Sequence, residues 1–247
     1  MIPLDPDALA ATLDQQLDSD QRAWLAQARE RVANNPQAVA TLFPAVGRNV
    51  GRGPLDPRAD REDVHAWTRD DAARVLLLTA LGDNAEPELP LLYRHGDAAE
   101  RRAVLRSLSY LDVQSDTTAR PLVDDALRTN DTRLIAAALG PYSLDRLDDP
   151  ALAQAVLKCV FVGVPLTGIA GLEQRVTPAL TEMLARFVHE RIAAGRTVPA
   201  DVWPVIDRHP PTHELASIAS ELQHAVPERR QAAQAALDAR ATTQAQS

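Results

Sequence analysis

Lysine is almost missing from this chain: Lys158 stands alone against 25 arginines. Arginine does not replace lysine in amine chemistry, so a Schiff-base mechanism has one position open to it. Cysteine is as scarce, and Cys159 by itself excludes an intramolecular disulfide and a multi-cysteine zinc site. Aromatic residues make up 4%, so Leu, Ala and Val must build most of the core. Basic charge is in deficit, 26 Lys and Arg against 34 Asp and Glu, for a net charge of -8. That balance argues against generic binding to nucleic acid or to an anionic membrane, both of which need basic surface. The opening residues, MIPLDPDALAATLDQQL, carry neither a basic segment nor an apolar one, so no secretory signal is read there and a cytoplasmic location is expected.

Long apolar runs are lacking too. The charge-free stretch from Cys159 to Leu172, within LKCVFVGVPLTGIAGL, falls short of the roughly 20 residues a membrane helix needs and holds Gly163, Pro165, Gly168 and Gly171. Ala153, Val156, Leu157, Val160 and Phe161 read as the buried stripe of a helix that Pro165 ends or kinks. An irregular apolar turn follows, and the whole stretch is expected in the core.

What is present is helical punctuation. Asp5-Pro6, Asn35-Pro36, Asp149-Pro150 and Thr177-Pro178 each pair a capping side chain with a proline that has no N–H to waste. Thr68 with Asp71, and Asp97 with Glu100, have capping-box spacing. No stretch alternates for long under β-branched enrichment, and no Asn-Gly hairpin signal occurs. The fold class is all-α. Helices are expected over 69–81, 85–94, 97–111, 116–128, 131–139, 149–162 and 178–194, the last with Leu180, Met183, Leu184, Phe187 and Val188 inward and Gly195 as its stop. Val75 to Leu78 are consecutive apolar residues, so the helix over 69–81 should be covered on several sides. In 98–111, Glu100, Arg101 and Arg102 are expected near solvent. Short polar turns favour antiparallel pairs in a HEAT-like, α-solenoid-type single domain over 1–225, although no fixed repeat carries a signature residue. Residues 51–66 form one long irregular connector. The polar Ala/Gln tail over 226–247 is expected to start as a helix and fray, partly disordered.

Candidate chemistry is thin. Gly47, Gly51 and Gly53 with Arg48 and Arg52 suggest an anion site, yet match neither the P-loop nor GxGxxG. Tyr93-Arg94 and Asn130-Asp131 fall at junctions between successive helices, where solenoid partners bind. His209 and His213 are four apart but broken by Pro210 and Pro211, and His189 reads as solvent-facing, so no metal site is expected. Lys158 falls away from the apolar stripe, and Cys159 reads as a buried, inert thiol. The acid pairs Asp70-Asp71, Asp124-Asp125 and Asp148-Asp149 read as caps and solvated faces, since adjacent helix residues do not face each other. No catalytic set and no cofactor motif emerges.

Six phrases in order carry a resemblance: FPAVGRNVGRGPL (43–55), WTRDDAARVLLLTAL (67–81), LYRHGDAAERRAVLRSL (92–108), DALRTNDTRLIAAALGPY (125–142), QAVLKCVFVGVPLTGIAGL (154–172) and MLARFVHERIAAGR (183–196). Over about residues 20–200 the chain resembles the EboA family of metabolite-traffic proteins. The resemblance implies a bacterial protein of a gene cluster that moves secondary-metabolite precursors, a cyanobacterial sunscreen precursor among them, towards the periplasm. It implies partners from that cluster, a membrane prenyltransferase included, with association at the inner membrane through those partners, and no known catalytic residues. The leading expectation is therefore a non-enzymatic adaptor or carrier using Arg48, Arg52, Tyr93, Arg94, Asn130 and Asp131 for a partner or a small-molecule metabolite. The rival is an enzyme acting on a small aromatic or prenylated metabolite between helices near 157–172, with Trp67, Lys158 and His189 as its candidates.

Overall fold

Helix starts follow the caps. In the computed structural model, which describes residues 5–60, 62–113 and 116–246, every regular element is helical and no strand occurs among the described residues. Two compact units divide the chain, Met1–Ser143 and Leu144–Ser247, with the boundary inside a helix.

The first unit holds α1 (Pro6–Asp14), α2 (Ser19–Asn34), α3 (Val39–Asn49), α4 (Arg69–Thr79), α5 (Ala85–His95), α6 (Ala98–Ser107), α7 (Asp116–Arg128) and α8 (Thr132–Ala138). Asp5 caps α1 through the Ala8 N–H at 3.0 Å, and Asp97 caps α6 through the Glu100 N–H at 2.9 Å. Asn35-Pro36 opens a single 3-10 turn without a side-chain cap. As its apolar run predicts, α4 is the centre: every residue from Asp70 to Leu78 is buried, and α1, α2, α3 and α6 pack around it. α4, α6 and α8 pack in one row, while α5 and α7 pack on each other and onto α6 and α8.

The connector over 51–66 is pinned where it returns. Leu55 N donates to Trp67 O and Arg69 N to Gly53 O, both at 2.8 Å, around a bridge between Pro54 and Thr68. Its glycines have a physical reason other than phosphate. A Cβ on Gly53 would stand 2.8 Å from the Arg69 guanidinium, and Gly51 has φ +84°, which favours glycine.

The second unit begins within α9 (Pro141–Arg146) and continues through α10 (Asp149–Val162), α11 (Pro178–Ala193), α12 (Val202–Ile206), α13 (Thr212–Ser220) and α14 (Pro227–Gln246). Asp148, one residue before the expected Asp149, caps α10, and Thr177 caps α11 through the Leu180 N–H. α11 is the hub here, packing on α10, α12, α13 and α14. The stretch after Cys159 divides. α10 stops at Gly163, φ +84°, where Gly163 N and Val164 N both donate to Cys159 O at 2.9 Å. Val164, Leu166, Ile169 and Leu172 are core, but Phe161 is 70% exposed, contrary to the stripe expected for it. The inward face runs through Val156, Cys159 and Val160, and Phe161 lies one helical step past it.

The tail expected to fray is helical through Gln246. It has more to bury than its composition suggests: Ala233 and Ala236 are buried, and Arg240 lies over the ring of Trp203, 5.6 Å from its centre.

Candidate functional site

One cleft of the first unit combines apolar walls with convergent charge. It measures about 510 Å³, within the size range of small-molecule sites. Its walls come from three helices. Pro90, Tyr93 and Arg94 share a face of the last turns of α5, Arg101 comes from α6, and Thr118, Pro121, Leu122, Asp125 and Arg128 recur at helical spacing along α7. Tyr93 is its fixed point. The ring is buried, its hydroxyl donates to Asp125 Oδ2 at 3.0 Å, and Arg101 stacks over its face at 5.5 Å. Burial first, and the Asp125 carboxylate next, hold the phenol neutral well above its usual range. Arg101 is held in turn, donating from Nε to Gly96 O at 3.1 Å and from Nη2 to Arg94 O at 3.4 Å. Arg128 approaches Asp125 at 3.6 Å with its side chain 72% exposed. Arg94 is exposed, and its guanidinium has no hydrogen bond or ion pair among the described residues.

Of the six candidate surface residues, Tyr93 and Arg94 line this cleft and the other four do not. Asp131 caps α8, accepting from Arg133 N at 3.0 Å and Leu134 N at 3.1 Å, with Asn130 exposed beside it. Arg48 is exposed on the last turn of α3. Arg52 pairs with Asp97 at 3.4 Å on open surface, worth little in stability.

The largest departure from expectation lies in α4 and α6. Asp70 and Asp71 are 1% and 0% exposed, neither of them on a solvated face, and Arg102 is 8% exposed where solvent was expected. Asp71 accepts from Arg102 Nε at 2.9 Å, Arg106 Nη1 at 2.5 Å, and Thr68 N at 3.0 Å. Burial pushes its carboxyl up, but Arg106 and Arg102 outweigh that and hold it below the ordinary range. Asp70 accepts from Arg74 Nη1 at 2.6 Å, while Arg74 Nε donates to Phe43 O at 3.2 Å. Three buried arginines thus meet two buried aspartates and the largely covered Glu100, whose Oε1 is 3.8 Å from Arg74. Asp70 Oδ1 and Arg74 Nη2 keep no hydrogen-bond partner among the described residues.

Of the rival's residues, Trp67 is engaged in ring contacts. Trp67 meets Tyr110 edge-on at 6.0 Å and carries Arg106 over its face at 4.8 Å. Arg106 also donates to His65 O and Ala66 O at 3.2 and 3.0 Å, fastening the connector. The His189 side chain is 36% exposed, and its Nε2 lies 2.9 Å from Glu221, a buried carboxylate that Arg229 also holds. A turn of chain from the end of α13 brings Glu221 over that face of α11, which the phase of α11 alone does not reveal. An open groove of about 340 Å³ runs past His189, His213, Glu182, Glu214, Arg186 and Ser217. Among the described residues no three His, Cys, Asp or Glu side chains gather to hold a metal ion. A third cleft, about 150 Å³, is walled by Leu166, Ile169, Leu172, Val176 and Val205 beside Asp201. Thus the apolar turn is both core and wall, but neither Trp67, Lys158 nor His189 lines it.

Lys158 is half-buried on α10, next to the buried Cys159. Burial, with a smaller push from Asp201, raises the Cys159 thiol to about 12. The thiolate is the reactive form, so at about pH 8 the folded protein should leave an added disulfide reagent unconsumed and the denatured protein should consume one equivalent. Rapid labelling of the folded chain would contradict this.

With the geometry in hand, the sequence comparisons decide the family. The sequence model of that family, described as metabolite traffic protein EboA, matches residues 6–207 of the 247. The chain belongs to the EboA family. No curated protein and no solved structure matches it. The match begins in α1, earlier than the phrases at 43–196 reach, and it runs through α12. The α5–α7 cleft lies wholly within the EboA region, whereas α13 and α14 lie beyond it. No helix among the described residues is long and apolar enough to cross a membrane.

Proposed function

We propose that this EboA-family chain serves metabolite traffic by holding a small molecule in the α5–α7 cleft without transforming it, and by passing it to proteins of a metabolite-export cluster, a membrane prenyltransferase among them. The observation that carries this reading is the cleft's lining: apolar walls, a neutral fixed tyrosine and convergent arginines, with no histidine or cysteine to act as base or nucleophile. Its one acid–phenol pair, Asp125 and Tyr93, is turned on itself in a single hydrogen bond with the phenol held neutral, which suits the lining to binding and orienting. The two-row packing of α4 to α8 supports a short HEAT-like stack, whose edge would present Asn130 and Asp131 to a protein partner and Arg48 and Arg52 to another. The chain works from the cytoplasmic side in this reading, and it joins the inner membrane only through partners.

Native mass spectrometry on protein purified gently from its own host tests the proposal. The expected result is a surplus of small-molecule size, lost on denaturation and absent from the Tyr93→Ala/Arg94→Ala protein. A bare mass for the parent protein, or an unchanged surplus in the variant, would overturn the carrier reading of this cleft.

A further inference from the structure

The geometry points to an organic acid, a flat apolar body bearing one carboxylate or phosphate, as the occupant of the α5–α7 cleft, with Arg94 and Arg128 as the groups that read its charge. This rests on the reading of the cleft as a metabolite site. Three arginines and one carboxylate line the cleft, so it is locally basic in a chain of net charge -8. The three arginines are not equivalent. Arg101 is spent on the Gly96 and Arg94 carbonyls and on the Tyr93 ring. Its charge still matters, because those carbonyls are the negative end of α5 and would repel an anion if left bare. Arg94 and Arg128 remain available, the first without a side-chain partner among the described residues, the second with only the 3.6 Å approach to Asp125.

Asp125 is the one acid in the lining, and it opposes an anionic ligand. Its Oδ2 already accepts the Tyr93 proton and its Oδ1 faces Arg128, so both oxygens are turned to protein donors. An anion can then take the outward edges of two planar guanidinium groups, which match carboxylate and phosphate geometry in a bidentate way. The apolar body has Pro90, Pro121 and Leu122 to lie against. Neutral or cationic ligands of the same shape would gain the walls but not the arginines.

The test uses the full chain, isotope-labelled, titrated by NMR with 2-naphthoate and 2-naphthyl phosphate against 2-naphthalenemethanol and 2-naphthylmethylamine. The anions should bind about tenfold or more tighter than the alcohol, which is the scale of one added charge-assisted contact, and salt should erode the difference. Arg94→Gln/Arg128→Gln should bring anion and alcohol to within about twofold with the melting temperature unchanged, as both side chains are exposed. Equal binding of anion and alcohol in the parent protein would overturn the ligand class and leave a metabolite cleft standing. Persistence of the anion preference in the double variant would overturn the arginine assignment. Absence of binding by every soluble probe, or sedimentation with phosphatidylglycerol vesicles in its place, would overturn the inference. The native-mass measurement then decides the carrier reading separately.

Discussion

Asp71→Asn should destabilise the first unit by about 3–5 kcal/mol, the usual cost of removing one partner from a buried ion pair. Asparagine fits the space and its Oδ1 can still accept from Thr68, but its NH2 replaces the oxygen that accepts from Arg102, so an acceptor is lost with the charge while the shape is kept. Arg102 and Arg106, 8% and 6% exposed, would then face each other without a counter-charge. Burial already draws Arg106 down to about 10 against the pull of Asp71. Hydrogen exchange of the α4 and α6 amides is the direct readout, because it reports opening of this unit even if the whole chain does not unfold in one step. Unchanged exchange there would refute the argument.

The same pair sets a pH dependence. The folded carboxyl of Asp71 is held below its unfolded value of about 3.9, so its contribution is complete above that range and is lost as pH falls through the lower folded value. The parent protein should therefore lose stability on acidification below about pH 4, and its advantage over Asp71→Asn should narrow there. Replacing all three groups, Asp71→Leu with Arg102→Met and Arg106→Met, should restore much of the loss, since no charge is then stranded. The recovery should be incomplete in the connector, where Arg106 holds the His65 and Ala66 carbonyls.

This cluster also marks how far the sequence can be read. The helices themselves are legible because their signals are local: Asp97 and Glu100 three residues apart along the chain, Thr177 ahead of Pro178, and four consecutive apolar residues in α4. The burial of Asp70, Asp71 and Arg102 is not legible, because it depends on α6 packing along α4 and bringing a guanidinium from 31 residues away. Charge is normally a solvent signal, and only a partner on another helix reverses it. The cleft was half legible for the same reason. Tyr93 and Arg94 stand out at the end of a helix, but Asp125 and Arg128 join them only once α7 packs on α5. A signal for the missing half existed in Thr118, Leu122 and Asp125, which recur at helical spacing on one face.

A chain ended after Val226 should lose about 3 kcal/mol or more from the second unit, although α14 lies outside the matched family region and looks dispensable by composition. Three contacts go at once. Trp203, wholly buried, loses the Arg240 guanidinium over its ring, leaving one face to water. Asp207 loses its two-pronged bond from Arg240, at 2.9 and 2.6 Å, and the Gln244 amide at 2.9 Å. Glu221, 5% exposed, loses Arg229 and is left with His189. Burial of one aromatic side chain is worth roughly 1.5–3 kcal/mol, and the charge-assisted bonds roughly 1.5–3 more. The emission of Trp203 should shift to longer wavelength, and the amides of α11 and α12 should exchange faster. Arg240→Ala alone should produce the emission shift with about half the loss of stability, because Arg229 still holds Glu221. Every residue of the cleft lies in Met1–Ser143, so ligand retention should survive the same truncation. An unaltered Trp203 spectrum would mean that α14 does not cover the ring in solution, and the tail would then be the frayed segment its composition suggests.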